Sequence, residues 1–182
     1  MSPLEKLKNL VAPPKKPLFE GRREAWPVIE EILGLDLPTD YKEIIGAYGF
    51  GSFSDFIYLY NPFCPFWPSA NLLSGTTKQR LRAYQEGQAQ YPQYSPPLRA
   101  YPEPGGLFPW ASTDNGDTLF WLTAGSPDKW TTVVCDSKTS EAYDEFSFGV
   151  AEFLLRWLSG NLGSRVLPPA PQGPVFTPVQ PT

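Results

Sequence analysis

The stretch GGLFPWASTDNGDTLFW, residues 105–121, decides how the rest of the chain is read. Two runs rich in aromatic and aliphatic residues, FPWAS and TLFWLT, flank STDNGD. Asn115-Gly116 between such runs is a strong hairpin signal, because it supplies the two positive-φ positions of a type I′ turn. Asp114 and Asp117 flank that turn, where carboxylates accept backbone hydrogen bonds. The competing reading is a calcium loop, which needs six to eight oxygens and, in the EF-hand pattern, a glutamate at the twelfth position. Thr118–Gly125 contains no acid, so the stretch is read as a hairpin and no metal site is expected. Phe120 points to one face of its strand, Leu119 and Trp121 to the other. Both faces of the sheet therefore carry large apolar groups. One must meet helices; the other is covered by loops such as 62–68, or forms an exposed platform anchored by Trp110, Trp121 or Trp130.

Working outward, TTVVCD (131–136) reads as a third strand, and SKTSEAYDEF (137–146) as a turn leading to a short strand. VAEFLLRWL (150–158) closes the pattern as a helix with an apolar stripe at Val150, Phe153, Leu154, Trp157 and Leu158, stopped by Gly160. Upstream, LDLPTDYKEIIGAYGFG (35–51) is the clearest helix. Pro38, Thr39 and Asp40 are its start signals, Tyr41, Ile44, Ile45 and Tyr48 its buried stripe, and Gly49 its stop. A partner helix starts around Glu24–Pro27 and ends at Gly34, with Trp26, Ile29, Leu33, Val28 and Ile32 turned to a core. SFSDFIYLYNPF (52–63) reads as one aromatic strand ending before Asn61-Pro62. LRAYQEGQAQY (81–91) is a middle helix preceded by Thr76-Thr77 as cap. The pattern is α+β: a central, mostly antiparallel sheet flanked by an N-terminal helix pair, a middle helix and a C-terminal helix.

Residues 1–21 are set apart as an arm, a short helix from Leu4 to Val11 followed by the proline-rich APPKKP. Residues 22–162 form the single domain. Residues 163–182, dense in proline, are expected to be a disordered or polyproline II tail.

The chain has 182 residues and no histidine, which removes Ser-His-Asp and Cys-His catalysis and histidine metal sites. Its formal net charge of −4 and the absence of a basic stripe argue against direct nucleic-acid binding. No apolar run is long enough for a membrane span, the N-terminus lacks a secretory core, and a cytoplasmic protein is expected. The two cysteines, Cys64 and Cys135, are expected as free thiols in a reducing compartment, with pairing left open. Neither GFG (49–51) nor Gly105-Gly106 has phosphate-loop spacing. The acidic pairs Glu30-Glu31 and Asp144-Glu145 read as solvated charges rather than a general acid/base dyad.

The order of these motifs resembles the SUKH superfamily: LGLDLPTDYKEIIGAYGFG (33–51), an aromatic strand ending in NPF, PEPGGLFPWASTDNGDTLFWLT (102–123), PDKWTTVVCD (127–136) and the closing FLLRWLSG (153–160). The resemblance spans about residues 22–160. It implies an α+β domain without a catalytic constellation or cofactor. Bacterial members are largely immunity proteins that neutralise polymorphic or contact-dependent toxins by binding; fungal members are cell-wall-assembly regulators. The matching motif residues Leu37, Pro38, Tyr41, Tyr48, Gly49, Gly51, Gly106, Pro109, Trp110, Gly116, Trp121, Trp130 and Trp157 are expected to be mainly architectural.

On that basis the expected function is binding to a cognate protein toxin, with a basic nuclease the class that an acidic chain suits. The expected contact surface joins the hairpin to the 62–68 loop: Phe66, Trp67, Trp110, Asp114, Asn115, Asp117 and Trp121. The alternatives are a scaffold or signalling adaptor of the cell-wall-regulator type and a carboxylate-only hydrolase. Oligomeric state is open.

Overall fold

The computed structural model describes residues 1–73, 75–93, 96–136 and 143–179. Its centre is a seven-stranded sheet in which every neighbouring pair is antiparallel. The strands are β1 Gly51–Phe53, β2 Ile57–Leu59, β3 Leu107–Thr113, β4 Thr118–Leu122, β5 Thr131–Cys135, β6 Tyr143–Phe146 and β7 Phe176–Pro178, in the order β6-β5-β4-β3-β2-β1-β7. The helices are α1 Pro3–Leu10, α2 Trp26–Leu33, α3 Thr39–Tyr48, α4 Gly75–Gln90 and α5 Val150–Leu158. This is the α+β architecture expected from the sequence.

The alternation along β3 and β4 divides the interior in two. Trp110, Leu119, Trp121 and Val134 join the main core, where Tyr41 of α3 and Phe153 of α5 stand edge-on to the two indoles. Leu107, Phe120 and Val133 form a smaller cluster on the opposite face. That second face is covered by α4, through Leu81 and Tyr84, and by Leu98, rather than by the 62–68 loop. The Tyr84 hydroxyl donates to the Leu98 carbonyl at 2.7 Å, joining the two parts of this cover.

The β3–β4 hairpin does not use the type I′ turn expected at Asn115-Gly116. Of Asn115-Gly116, only Gly116 has a positive φ, at 92°. The Gly116 N–H donates to Thr113 O and the Thr113 N–H to Asp117 O, both at 3.0 Å. That is a three-residue loop, a type I turn followed by a glycine bulge. The Thr113 hydroxyl closes it, donating to Asp117 Oδ2 at 2.9 Å and accepting from the Asp117 N–H at 3.1 Å. The I′ geometry occurs instead at Ser54-Asp55, with φ of 52° and 51°, where the Phe56 N–H donates to Phe53 O at 3.1 Å. The single strand read over 52–63 is therefore two strands; short polar side chains tolerate left-handed backbone, and here tertiary pairing selects it.

Other elements also differ from expectation. Helix α4 begins at Gly75, and Thr77 lies inside it, its hydroxyl donating to Leu72 O at 2.9 Å instead of capping the helix. Val28 and Ile32 of α2 face outward, because that helix buries only the stripe containing Trp26 and Ile29. The expected turn at 137–142 lies outside the described residues.

The arm and tail do not stand apart. Leu4, Leu7 and Val11 are buried in the main core, with α1 lying against α5. The tail is not free through residue 179. Asp144 accepts from Ser164 Oγ (2.6 Å), Arg165 N (2.8 Å), Arg165 Nε (2.9 Å) and Val166 N (3.2 Å). Trp157 Nε1 donates to Pro168 O at 2.9 Å, and β7 adds to the β1 edge. Both ends converge on the end of α3. The Tyr48 hydroxyl donates to Val11 O at 2.7 Å, the Phe50 N–H to Leu18 O at 2.7 Å, and the Val179 N–H to Phe50 O at 3.1 Å.

Candidate protein-binding site

The seven residues expected at a contact surface separate into three groups. Trp110 and Trp121 are 0% exposed; they stack at 6.1 Å between centroids and form the middle of the core. Trp130 is buried beside Trp121 as well. These indoles hold the sheet against the helices and present nothing to a partner. Asp117 is buried in the hairpin closure, whereas Asp114 and Asn115 at the tip are exposed. Phe66 and Trp67 are 61% and 41% exposed, on a loop resting against Phe19 and Phe50.

The structure does not bring the hairpin tip and this loop together. The Asp114 N–H bonds to Phe56 O just before β2, whereas the Tyr60 N–H bonds to Trp110 O just after it. The tip and the 62–68 segment thus leave opposite ends of β2, and the expected single patch is two separate places.

A different surface is continuous and apolar. The end of α2, the start of α4 and the loop before β3 enclose an open groove of about 380 Å³. Ile32, Leu33, Leu72, Leu81, Tyr101 and Phe108 form its walls, and Lys78, Arg82 and Gln85 lie at its rim. Val28 and Ile32, 55% and 65% exposed, lie on the α2 surface, Ile32 reaching the groove itself. Gly105-Gly106 makes the third wall possible. A Cβ on Gly106 would lie 2.5 Å from the Ala100 carbonyl carbon, and this close approach holds the Tyr101 loop against β3. The Tyr101 hydroxyl then donates to Gly34 O at 3.1 Å, tying this loop to the end of α2. One sequence signal pointed here: α2 carries more apolar residues than one buried stripe can use.

Burial is the main cause where ionisable groups have raised pKa values. Burial raises Asp40 above the ordinary carboxylate value, aided by repulsion from Asp128, although the backbone N–H groups of Ala151, Tyr41 and Val150 oppose the shift. Its Oδ2 accepts from the Ala151 N–H at 2.9 Å and so caps α5. Burial pushes the Cys135 thiol up to about 12, and both cysteines are free. Among the described residues, no three His, Cys, Asp or Glu side chains are grouped to hold a metal, and no helix is long and apolar enough to cross a membrane.

A family model described as SMI1-KNR4 cell-wall (SUKH_6) matches residues 23–154. The chain belongs to the SUKH superfamily. Comparison with curated proteins and with solved structures gives no significant match. In this SUKH domain the motif residues have structural duties: the Tyr41 hydroxyl bonds to the Tyr60 carbonyl, Tyr48 ties down the arm, and Gly49 makes room for Leu18. The match leaves out α1, the end of α5 and β7.

Proposed function

We propose that this SUKH domain is a non-catalytic, cytoplasmic immunity protein that binds and neutralises a cognate polymorphic or contact-dependent toxin through the α2–α4 groove. The observation that carries the reading is the groove itself. It is an apolar wall set on a family core in which Trp110, Trp121 and Trp130 are buried. Exposed apolar surface rimmed by polar groups is characteristic of interaction sites, which supports a docking role for this groove. An overall charge of −4 speeds encounter with a basic partner such as a nuclease, while the groove supplies anchoring contact.

The test is to look for a toxin gene beside this one and to co-express the chain with that toxin's C-terminal domain, with survival as the readout. Ile32→Asp combined with Arg82→Glu, both on exposed side chains, should abolish protection while leaving the protein folded. Full protection by the folded double variant would exclude the groove, and failure of the wild-type chain to protect would exclude immunity to that toxin. Phe66→Ala with Trp67→Ala tests the loop that stays exposed. Trp121→Ala would report on folding instead.

The second reading is a scaffold of the cell-wall-assembly-regulator type, which the description of the matching family favours. It expects endogenous partners retained on the wild-type protein and lost with the same groove variant, in cells that contain no toxin.

A further inference from the structure

The last strand is held differently from the rest of the sheet. Strand β7 is three residues long and, among the described residues, pairs with β1 alone, in the register Gly51↔Pro178, Ser52↔Thr177, Phe53↔Phe176. Two backbone bonds flank that ladder, Ser54 N–H to Val175 O at 2.7 Å and Val179 N–H to Phe50 O at 3.1 Å. Its one large anchor, Phe176, sits in a socket formed by Tyr48 and Phe53, each 5.1 Å away between ring centroids. The socket needs Gly51, since a Cβ there would lie 2.5 Å from the Phe176 ring.

The connection to this strand is a tether. Leu167 is buried and Pro168 is latched to Trp157, but the segment PPAPQGPV, 168–175, contains no buried residue and no helix or strand. Fully extended, it reaches about 27 Å. Its prolines make it a semi-rigid spacer rather than a chain that collapses back on its own domain. An empty β1 edge would expose unpaired backbone groups and the Phe53 ring, so the site favours an occupant at all times.

We propose that β7 is an exchangeable strand: the β1 edge and the Tyr48–Phe53 socket accept the Phe176–Pro178 strand of a second copy of this chain in place of its own, giving a reciprocal, strand-swapped dimer. The pairings are identical in the closed and swapped forms. The balance between them is then set by the tether and by protein concentration, the condition under which swapping occurs at low cost. This inference does not depend on toxin binding.

The experiment uses full-length chains. Ser52→Cys is placed in one and Thr177→Cys in another, two positions that face each other in the ladder. The native thiols interfere little, since Cys64 is buried and that of Cys135 is held protonated up to about pH 12. After mixing and mild oxidation, the expected product is a disulfide-linked heterodimer whose yield rises with concentration and falls when Phe176→Ala is added to the Thr177→Cys chain. The double variant, with both cysteines in one chain, checks that the ladder geometry allows the bond. Two outcomes overturn the proposal: no heterodimer while the double variant closes within a chain, or a heterodimer indifferent to Phe176→Ala.

Discussion

Trp121 and Phe66 are both large aromatic residues near proposed contact regions, and the structure gives them opposite duties. Trp121 touches Tyr41, Phe108, Trp110 and Trp130 and has no exposed surface, whereas Phe66 rests on Phe19 and is mostly exposed. Trp121→Ala should cost about 3–5 kcal/mol in urea unfolding, the range for deleting a buried aromatic. Phe66→Ala should stay within about 0.5 kcal/mol of wild type, as an exposed substitution does. Glycines divide in the same way. Gly49 has φ 72°, and a Cβ there would lie 2.2 Å from Leu18 O, whereas Gly125 has φ 78° and open space around it. Gly125→Ala should cost about 1 kcal/mol of backbone strain. Gly49→Ala should cost more, because Leu18 must also leave its bond to the Phe50 N–H. Equal unfolding midpoints for the two variants would remove the contact argument.

At the scale of elements, the caps are traded between neighbours. The start signals Thr39 and Asp40 were read as serving α3. The α3 cap comes instead from Asp128, whose carboxylate accepts from the Thr39 N–H at 2.6 Å and the Thr39 hydroxyl at 3.1 Å. Asp40 in turn caps α5, and Gly149 clears the space for it: a Cβ there would lie 2.7 Å from Asp40 Oδ2. Asp128→Ala should destabilise the fold by about 1 kcal/mol, the usual worth of a cap. Asp40 also gives a pH signature. Its folded pKa lies above the ordinary 3.8, so its favourable contribution is present below 3.8 and is lost as pH rises through the raised folded value. Asp40→Asn, which keeps an oxygen for Ala151, should therefore gain stability relative to wild type between acid and neutral pH. Urea midpoints at both ends of that window check it; a flat difference between the two proteins would contradict the burial argument.

For the whole molecule, Asp144 is the pin that holds the tail to the sheet. Burial works against its ionisation, but hydrogen bonds from Ser164, Arg165 and the backbone N–H groups of Arg165 and Val166 outweigh that and lower its pKa. Its contribution is complete above the ordinary 3.8 and is lost as pH falls through the lowered folded value, the opposite sign to Asp40. Protection factors for amide exchange at Arg165 and Val166 should fall in that acid window, and Asp144→Asn should produce the same fall at neutral pH.

Local rules made the helices, the β3–β4 hairpin and the α+β class legible, because apolar period and glycine stops act over a few residues. The SUKH motifs were legible for the same reason, each one a local device of packing or turning. The contact surface was not legible in the same way. Trp110 and Trp67 look equally suited to binding as residues, and only the packing of α3, α5 and the sheet around Trp110 takes it out of reach. The groove arises where α2, α4 and the Tyr101 loop, distant in sequence, come together. Periodicity, glycine placement and motif order thus determined the α+β class and the order of its central elements by themselves. Which apolar groups stay outside, which acid caps which helix, and that a proline-rich tail closes the sheet were decided only in three dimensions. Burial and strand pairing depend on neighbours that the chain does not place side by side.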